Sequence, residues 1–170
     1  KKDMQGIGKM LGTNLVISIF ISLIPIIFAF SLHGYVPGWV KVEGEESIQI
    51  IDAFLLASIS ASLMLINNNV GGFFLGIQET LIPSINGIVT NIIGIIASII
   101  FLRMDLGLLS IPLGFIVGSF LLSLGHFTYL YLWVRKNLPF KSITFELSYF
   151  KSLFGQSSWV FMDRLAKTAS

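Results

Sequence analysis

The chain has 170 residues, of which 54% are hydrophobic and only 12% charged, with a mean hydropathy of +0.84. Soluble domains carry about 25% charged residues, so this composition excludes an ordinary water-soluble domain and points to an all-α integral membrane protein. The net charge of +2 is too small to suggest nucleic acid, and the lack of cysteine excludes disulfide scaffolds, thiolate metal sites and cysteine nucleophiles.

Uncharged runs of about 18 residues or more read as membrane helices, because ~20 helical residues cross a ~30 Å hydrocarbon core. The runs here are continuous rather than alternating, so helices and not barrel strands are expected. The first predicted span covers residues 10–32 and contains Pro25. Lys1 and Lys2 precede it, as in a signal sequence, but the run is too long and lacks a small-residue cleavage site. The chain is expected to be an internal piece of a longer protein.

Residues 34–47 are expected to form a polar loop, with Pro37, Gly38, Gly44, the acidic Glu43, Glu45 and Glu46, and Tyr35 and Trp39 as interfacial aromatics. The second span covers residues 48–77, with Asp52 near its start. Inside it lies the run Asn67-Asn68-Asn69. Three adjacent positions sweep about 300° of helix, so at least one amide must face protein or water. Interhelical hydrogen bonding and the wall of a hydrophilic cavity are both open readings.

A tight turn at residues 78–83 joins this span to the third, residues 81–102, and the two must run antiparallel. Asn86 and Asn91 are too far apart around the third span to share a face. The fourth span covers residues 106–134 and carries Gly114 and Gly118 at GxxxG spacing, which permits close backbone approach. His126 lies nine residues before Arg135, near mid-depth, where either a packed polar group or a cavity role is open.

Residues 135–154 change character. Phe140, Ile143, Leu147, Phe150 and Phe154 recur at three- and four-residue spacing, predicting an amphipathic helix along the membrane surface. Residues 155–170 read as the start of a further span. Lys1, Lys2, Lys9, Arg135, Lys136, Lys141 and Lys151 fall on one side of the membrane, and Lys41 and Arg103 on the other. The bias predicts that the residue-1 end, the 78–83 turn and residues 135–154 are cytoplasmic.

No paired carboxylates, nucleophile elbow, phosphate loop or dinucleotide glycines are present, so an enzyme is not expected, and no cofactor or metal is implied. The motif Gly76-x-x-x-Thr80-x-x-Pro83, followed by Asn91, resembles the turn between the fourth and fifth helices of the MOP transporter superfamily. That superfamily contains the multidrug and toxin extrusion (MATE) transporters and the flippases of lipid-linked oligosaccharides. The run from Phe150 to Phe161 resembles the cytoplasmic helix and the beginning of the seventh span of the bacterial polysaccharide (O-antigen-type) flippases.

The resemblance implies part of one lobe of a 12–14-helix bundle working by alternating access in the bacterial cytoplasmic membrane. It implies an undecaprenyl-linked oligosaccharide as substrate, the lipid bilayer as surroundings, and polysaccharide polymerase or assembly proteins as partners. Gly76, Thr80 and Pro83 would form the structural turn. Arg164, with Asp163 and Lys167 beside it, would stand about 14 Å into the seventh span, where an arginine suits a pyrophosphate through bidentate hydrogen bonds. Asn68, Asn91 and His126 complete the cavity candidates. A MATE-type cation antiporter and a small non-transporting membrane scaffold are the alternative expectations.

Overall fold

A computed structural model of the chain describes residues 3–151. Among these the fold is helical, with no strand. The long helices are α1 (Met4–Leu32), α3 (Glu45–Gly76), α4 (Leu81–Arg103) and α5 (Ser110–Asn137), with the short α2 (Val36–Val40) between the first two. Four segments are long and apolar enough to cross a membrane: Met4–Val40, Glu46–Gly76, Leu81–Arg103 and Gly107–Asn137. The 34–47 segment is less irregular than expected. Its first part forms a 3-10 turn and then α2, where Pro37 occupies the first turn and lacks only an N–H that would have no helical partner.

Three helices end in the same way. The chain enters the left-handed region at Lys41 (φ 60°), Gln78 (φ 66°) and Asp105 (φ 59°). The following residue then donates its N–H back across the last turn: Val42 to the Pro37 carbonyl at 3.2 Å, Glu79 to Phe74 at 2.9 Å and Leu106 to Phe101 at 3.3 Å. This 6→1 bond is the Schellman closure, which satisfies carbonyls that would otherwise be orphaned at a helix end. Glycine usually holds the left-handed position; here Gln78 does, and Gly76 is the last residue of α3. The left-handed residue of this turn is therefore Gln78, two residues after Gly76.

The described residues divide into two compact units, residues 18–132 and residues 3–17 with 133–151. Within residues 18–132 the usual distribution of side chains is inverted. Ser58, Ser60, Ser62, Asn67, Thr90, Ser110 and His126 are buried, while Ile85, Ile88, Ile92, Ile96 and Ile99 stand exposed along α4. In water that ridge would lose the free energy of burying each isoleucine. Against acyl chains it loses nothing, and helix association then depends on close packing and on hydrogen bonds between helices.

Close packing is achieved by glycine. A methyl group on Gly94 of α4 would lie 3.1 Å from the Gly114 carbonyl oxygen and 3.3 Å from Gly118 Cα of α5. The GxxxG spacing thus meets a third glycine on the facing helix, and the two backbones touch. At the end of α3, Phe74 is fully buried and its ring centroid lies 4.8 Å from that of Tyr129. The Tyr129 hydroxyl donates to the Glu79 carboxylate at 3.4 Å, which ties the turn to α5.

Within residues 3–17 and 133–151 the chain forms a clasp. Asp3 caps α1, accepting the Gly6 N–H at 3.0 Å. The predicted amphipathic helix over 135–154 does not form as one element. After α5 ends, a 3-10 turn occupies Phe140–Ser142, the backbone is extended at Ile143 (φ −83°, ψ 91°), and helix resumes only at residues 147–151.

The cause is competition for backbone groups. Pro139 enters the segment extended, Ser142 Oγ donates to the Pro139 carbonyl at 2.7 Å, and the Glu146 N–H donates to Thr13 Oγ1 at 3.0 Å instead of closing a helical turn. A methyl group on Gly12 would come within 2.7 Å of the Thr144 carbonyl oxygen, so the strap lies directly on the glycine face of α1. Lys9 Nζ and Glu146 Oε2 pair at 2.8 Å beside it. The Lys9 hydrogen bond, aided by the Ser148 hydroxyl, holds the Glu146 carboxyl below its ordinary pKa.

Candidate functional site

The Asn67-Asn68-Asn69 run places its three amides in different surroundings. Asn67, 1% exposed, donates Nδ2 to the Ser119 carbonyl at 2.9 Å and accepts the Ser123 hydroxyl at 3.0 Å, joining α3 to α5. Asn68 is exposed and faces a pocket. Asn69 donates Nδ2 to the Leu65 carbonyl one turn back at 3.0 Å. One amide is interhelical glue, one is a cavity wall, and one serves its own helix.

A half-open pocket of about 560 Å³ lies among α3, the turn, α4 and α5. Such a volume falls in the ~300–1,000 Å³ range of small-molecule sites. From α3 come Ala57, Ser60, Ala61, Met64, Asn67, Asn68, Gly71, Gly72 and Leu75; from the turn and α4 come Thr80, Pro83, Ser84, Gly87, Asn91 and Gly94; and from α5 come Phe115, Gly118, Ser119, Leu122 and His126, so that the wall is mostly apolar. The glycines keep the walls thin and the helices near, so polar side chains reach the same space from all three. Among the described residues that line it, none is Asp, Glu, Lys or Arg.

His126 is the titratable group of this site. Its residue surface is 6% accessible, its ring nitrogens are sealed from solvent, and they face the backbone of Pro83 and Asn67. A methyl group on Gly71 would lie 3.7 Å from His126 Cε1, an ordinary van der Waals contact, so α3 packs against the imidazole there.

Asn68, Asn91 and His126, drawn from three different helices in the sequence reading, are thus brought to one pocket. Thr80 and Pro83 line it as well as shaping the turn; Pro83 sits at the third position of α4, where a missing N–H leaves no helical bond broken. Asn86, as its angular separation from Asn91 implied, points elsewhere and donates to the Leu122 carbonyl at 3.2 Å. Arg164, Asp163 and Lys167 lie outside the described residues. Sequence reasoning missed Ser60, Ser84 and Ser119, since a serine in an apolar helix carries no signal of its own; most bond their own preceding turn.

Among the described residues no three His, Cys, Asp or Glu side chains gather to hold a metal ion. Helices of this length, with isoleucine outward and amides and hydroxyls inward, define a multi-pass helical membrane protein. No family model, no curated protein and no solved structure matches the chain.

Proposed function

We propose that this chain is part of a carrier, not an enzyme, that moves a lipid-linked oligosaccharide across the bacterial cytoplasmic membrane for cell-surface polysaccharide synthesis. In this reading it contributes helices to one lobe of a MOP-type flippase that works by alternating access. The observation that carries the reading is a pocket without charged side chains, mostly apolar but with amides and hydroxyls from three helices, among helices whose outer faces suit lipid. Polar groups in membrane spans are costly and concentrate where a polar substrate must pass. The turn motif Gly76-x-x-x-Thr80-x-x-Pro83 lines up with that pocket through Thr80 and Pro83, which supports the resemblance to this superfamily.

A cation antiporter would be expected to place a carboxylate at such a pocket, and none of the described lining residues is one. The oligosaccharide reading is favoured for that reason. Its test is deletion of the full-length gene, followed by analysis of lipid-linked glycans and surface polysaccharide. Accumulation of undecaprenyl-linked units with loss of surface polymer is the expected result. Normal surface polymer with heightened sensitivity to cationic dyes would transfer the assignment to drug export, and no change in either would reject transport altogether.

A further inference from the structure

We infer that the strap of residues 138–146, with the basic residues flanking it, docks on the headgroups of anionic phospholipid in the leaflet on its own side of the membrane. The inference stands on the membrane spans alone and does not require the carrier reading. Two helices mark where that leaflet meets water. After Lys9, α1 carries no further charge to its end at Leu32, and α5 carries none before Arg135. The strap leaves the Arg135 end of α5 and is pinned to the Lys9 end of α1. The Glu146 N–H donates to Thr13 Oγ1 at 3.0 Å, and a methyl group on Gly12 would come within 2.7 Å of the Thr144 carbonyl oxygen. The strap is thereby held at the boundary between acyl chains and water.

At that boundary it combines two kinds of surface. Phe140, Phe145 and Leu147 are each more than half exposed. Arg135, Lys136, Lys141 and Lys151 are exposed as well, and none of the four has an ionic partner among the described residues. Glu146 is the only carboxylate in residues 133–151, and Lys9 pairs with it at 2.8 Å. The positive charge is therefore left uncompensated, and it is interleaved with apolar side chains.

A nucleic acid would match the charge but leave the phenylalanines in water. A neutral lipid would match the apolar groups and leave the charge without a counterpart. An anionic leaflet matches both, because lysine keeps its ammonium at headgroup level while apolar neighbours enter the acyl boundary.

The test places full-length protein in nanodiscs of equal phosphatidylglycerol and phosphatidylcholine. Lipid retained after mild detergent extraction is counted by native mass spectrometry. The wild type is expected to prefer phosphatidylglycerol several-fold, and less so in high salt. A cation close to an anionic surface raises affinity roughly fivefold, so Lys136→Gln/Lys141→Gln should lower the preference by roughly fivefold or more. Lys41→Gln, just past the opposite end of the first span, should leave it unchanged. The lysines at 136 and 141 are exposed, so folding should survive their loss; Lys141→Gln alone serves if the double variant does not fold.

Equal retention of the two lipids by the wild type overturns the inference and leaves the cations to an acidic protein partner. A preference unchanged in Lys136→Gln/Lys141→Gln, or lowered as much by Lys41→Gln, overturns it too, since the lipid would then be held elsewhere on the protein.

Discussion

Asn67 and Ser123 meet across α3 and α5 at 3.0 Å, and the same amide donates to the Ser119 carbonyl at 2.9 Å. Fifty-odd residues of chain separate the partners, yet both bonds close within a buried seam. Hydrogen bonds of this kind between membrane helices contribute about 0.6–1.7 kcal/mol each. Asn67→Ala is therefore expected to destabilise the protein by about 1–3 kcal/mol. Thermal unfolding in detergent measures it, and Asn68→Ala, which removes no seam bond, should melt like the wild type.

The glycine contact between α4 and α5 predicts a contrast. A methyl group on Gly114 would strike Ser98 Oγ and approach the Gly94 carbonyl oxygen to 2.6 Å, whereas one on Gly87 meets nothing within 4 Å. Gly114→Ala should cost about 1–3 kcal/mol through forced separation of the helices. Gly87→Ala should cost nothing and gain helix propensity. Equal melting temperatures for the two variants would refute the close approach.

The clasp near residues 9–13 and 142–146 should respond to acid. Glu146 titrates below its ordinary value of 4.5 because Lys9 and Ser148 bond to its charged form. A depressed folded-state pKa contributes stability that is present above the unfolded value and lost as pH falls through the folded one. Hydrogen exchange at the Glu146 amide, which donates to Thr13 Oγ1, is the readout. Protection should exceed that of Glu146→Gln near neutral pH and converge with it in acid. The difference should be modest, since both charges are well exposed and screened by salt.

The same clasp is held sterically by Gly12, where a methyl group would come within 2.7 Å of the Thr144 carbonyl oxygen and 2.8 Å of its nitrogen. Neither neighbour is a flexible side-chain end, so Gly12→Ala should lift the strap. Limited proteolysis between residues 138 and 147 should then accelerate several-fold; an unchanged rate would show that the strap accommodates the methyl.

Orientation is open to a clean chemical test because the 170 residues contain no cysteine. Gln78→Cys, at the turn, should react with an impermeant maleimide only from the cytoplasmic side. Lys41→Cys, at the end of α2, should react only from outside. The reverse pattern would overturn the charge-bias assignment.

Much of this molecule could be read from the order of its residues. Runs of uncharged apolar residues are a one-dimensional property matched to a one-dimensional constraint, the thickness of the bilayer. The four spans therefore appear in the structure within a few residues at most ends. The spacing of Gly114 and Gly118 announced a close contact, and Asn68, Asn91 and His126 stood out because polar groups are rare in apolar helices.

What needed tertiary structure was the identity of partners. Hydropathy could not decide which of three consecutive asparagines would bond Ser119 and which would face the pocket, because that depends on the rotation of α3 against α5. Nor could periodicity foresee that the apolar spacing from Phe140 to Phe150 would be broken. The helix pattern was present, but Thr13 and the glycine face of α1, more than a hundred residues away, took the backbone groups that a helix there would have used.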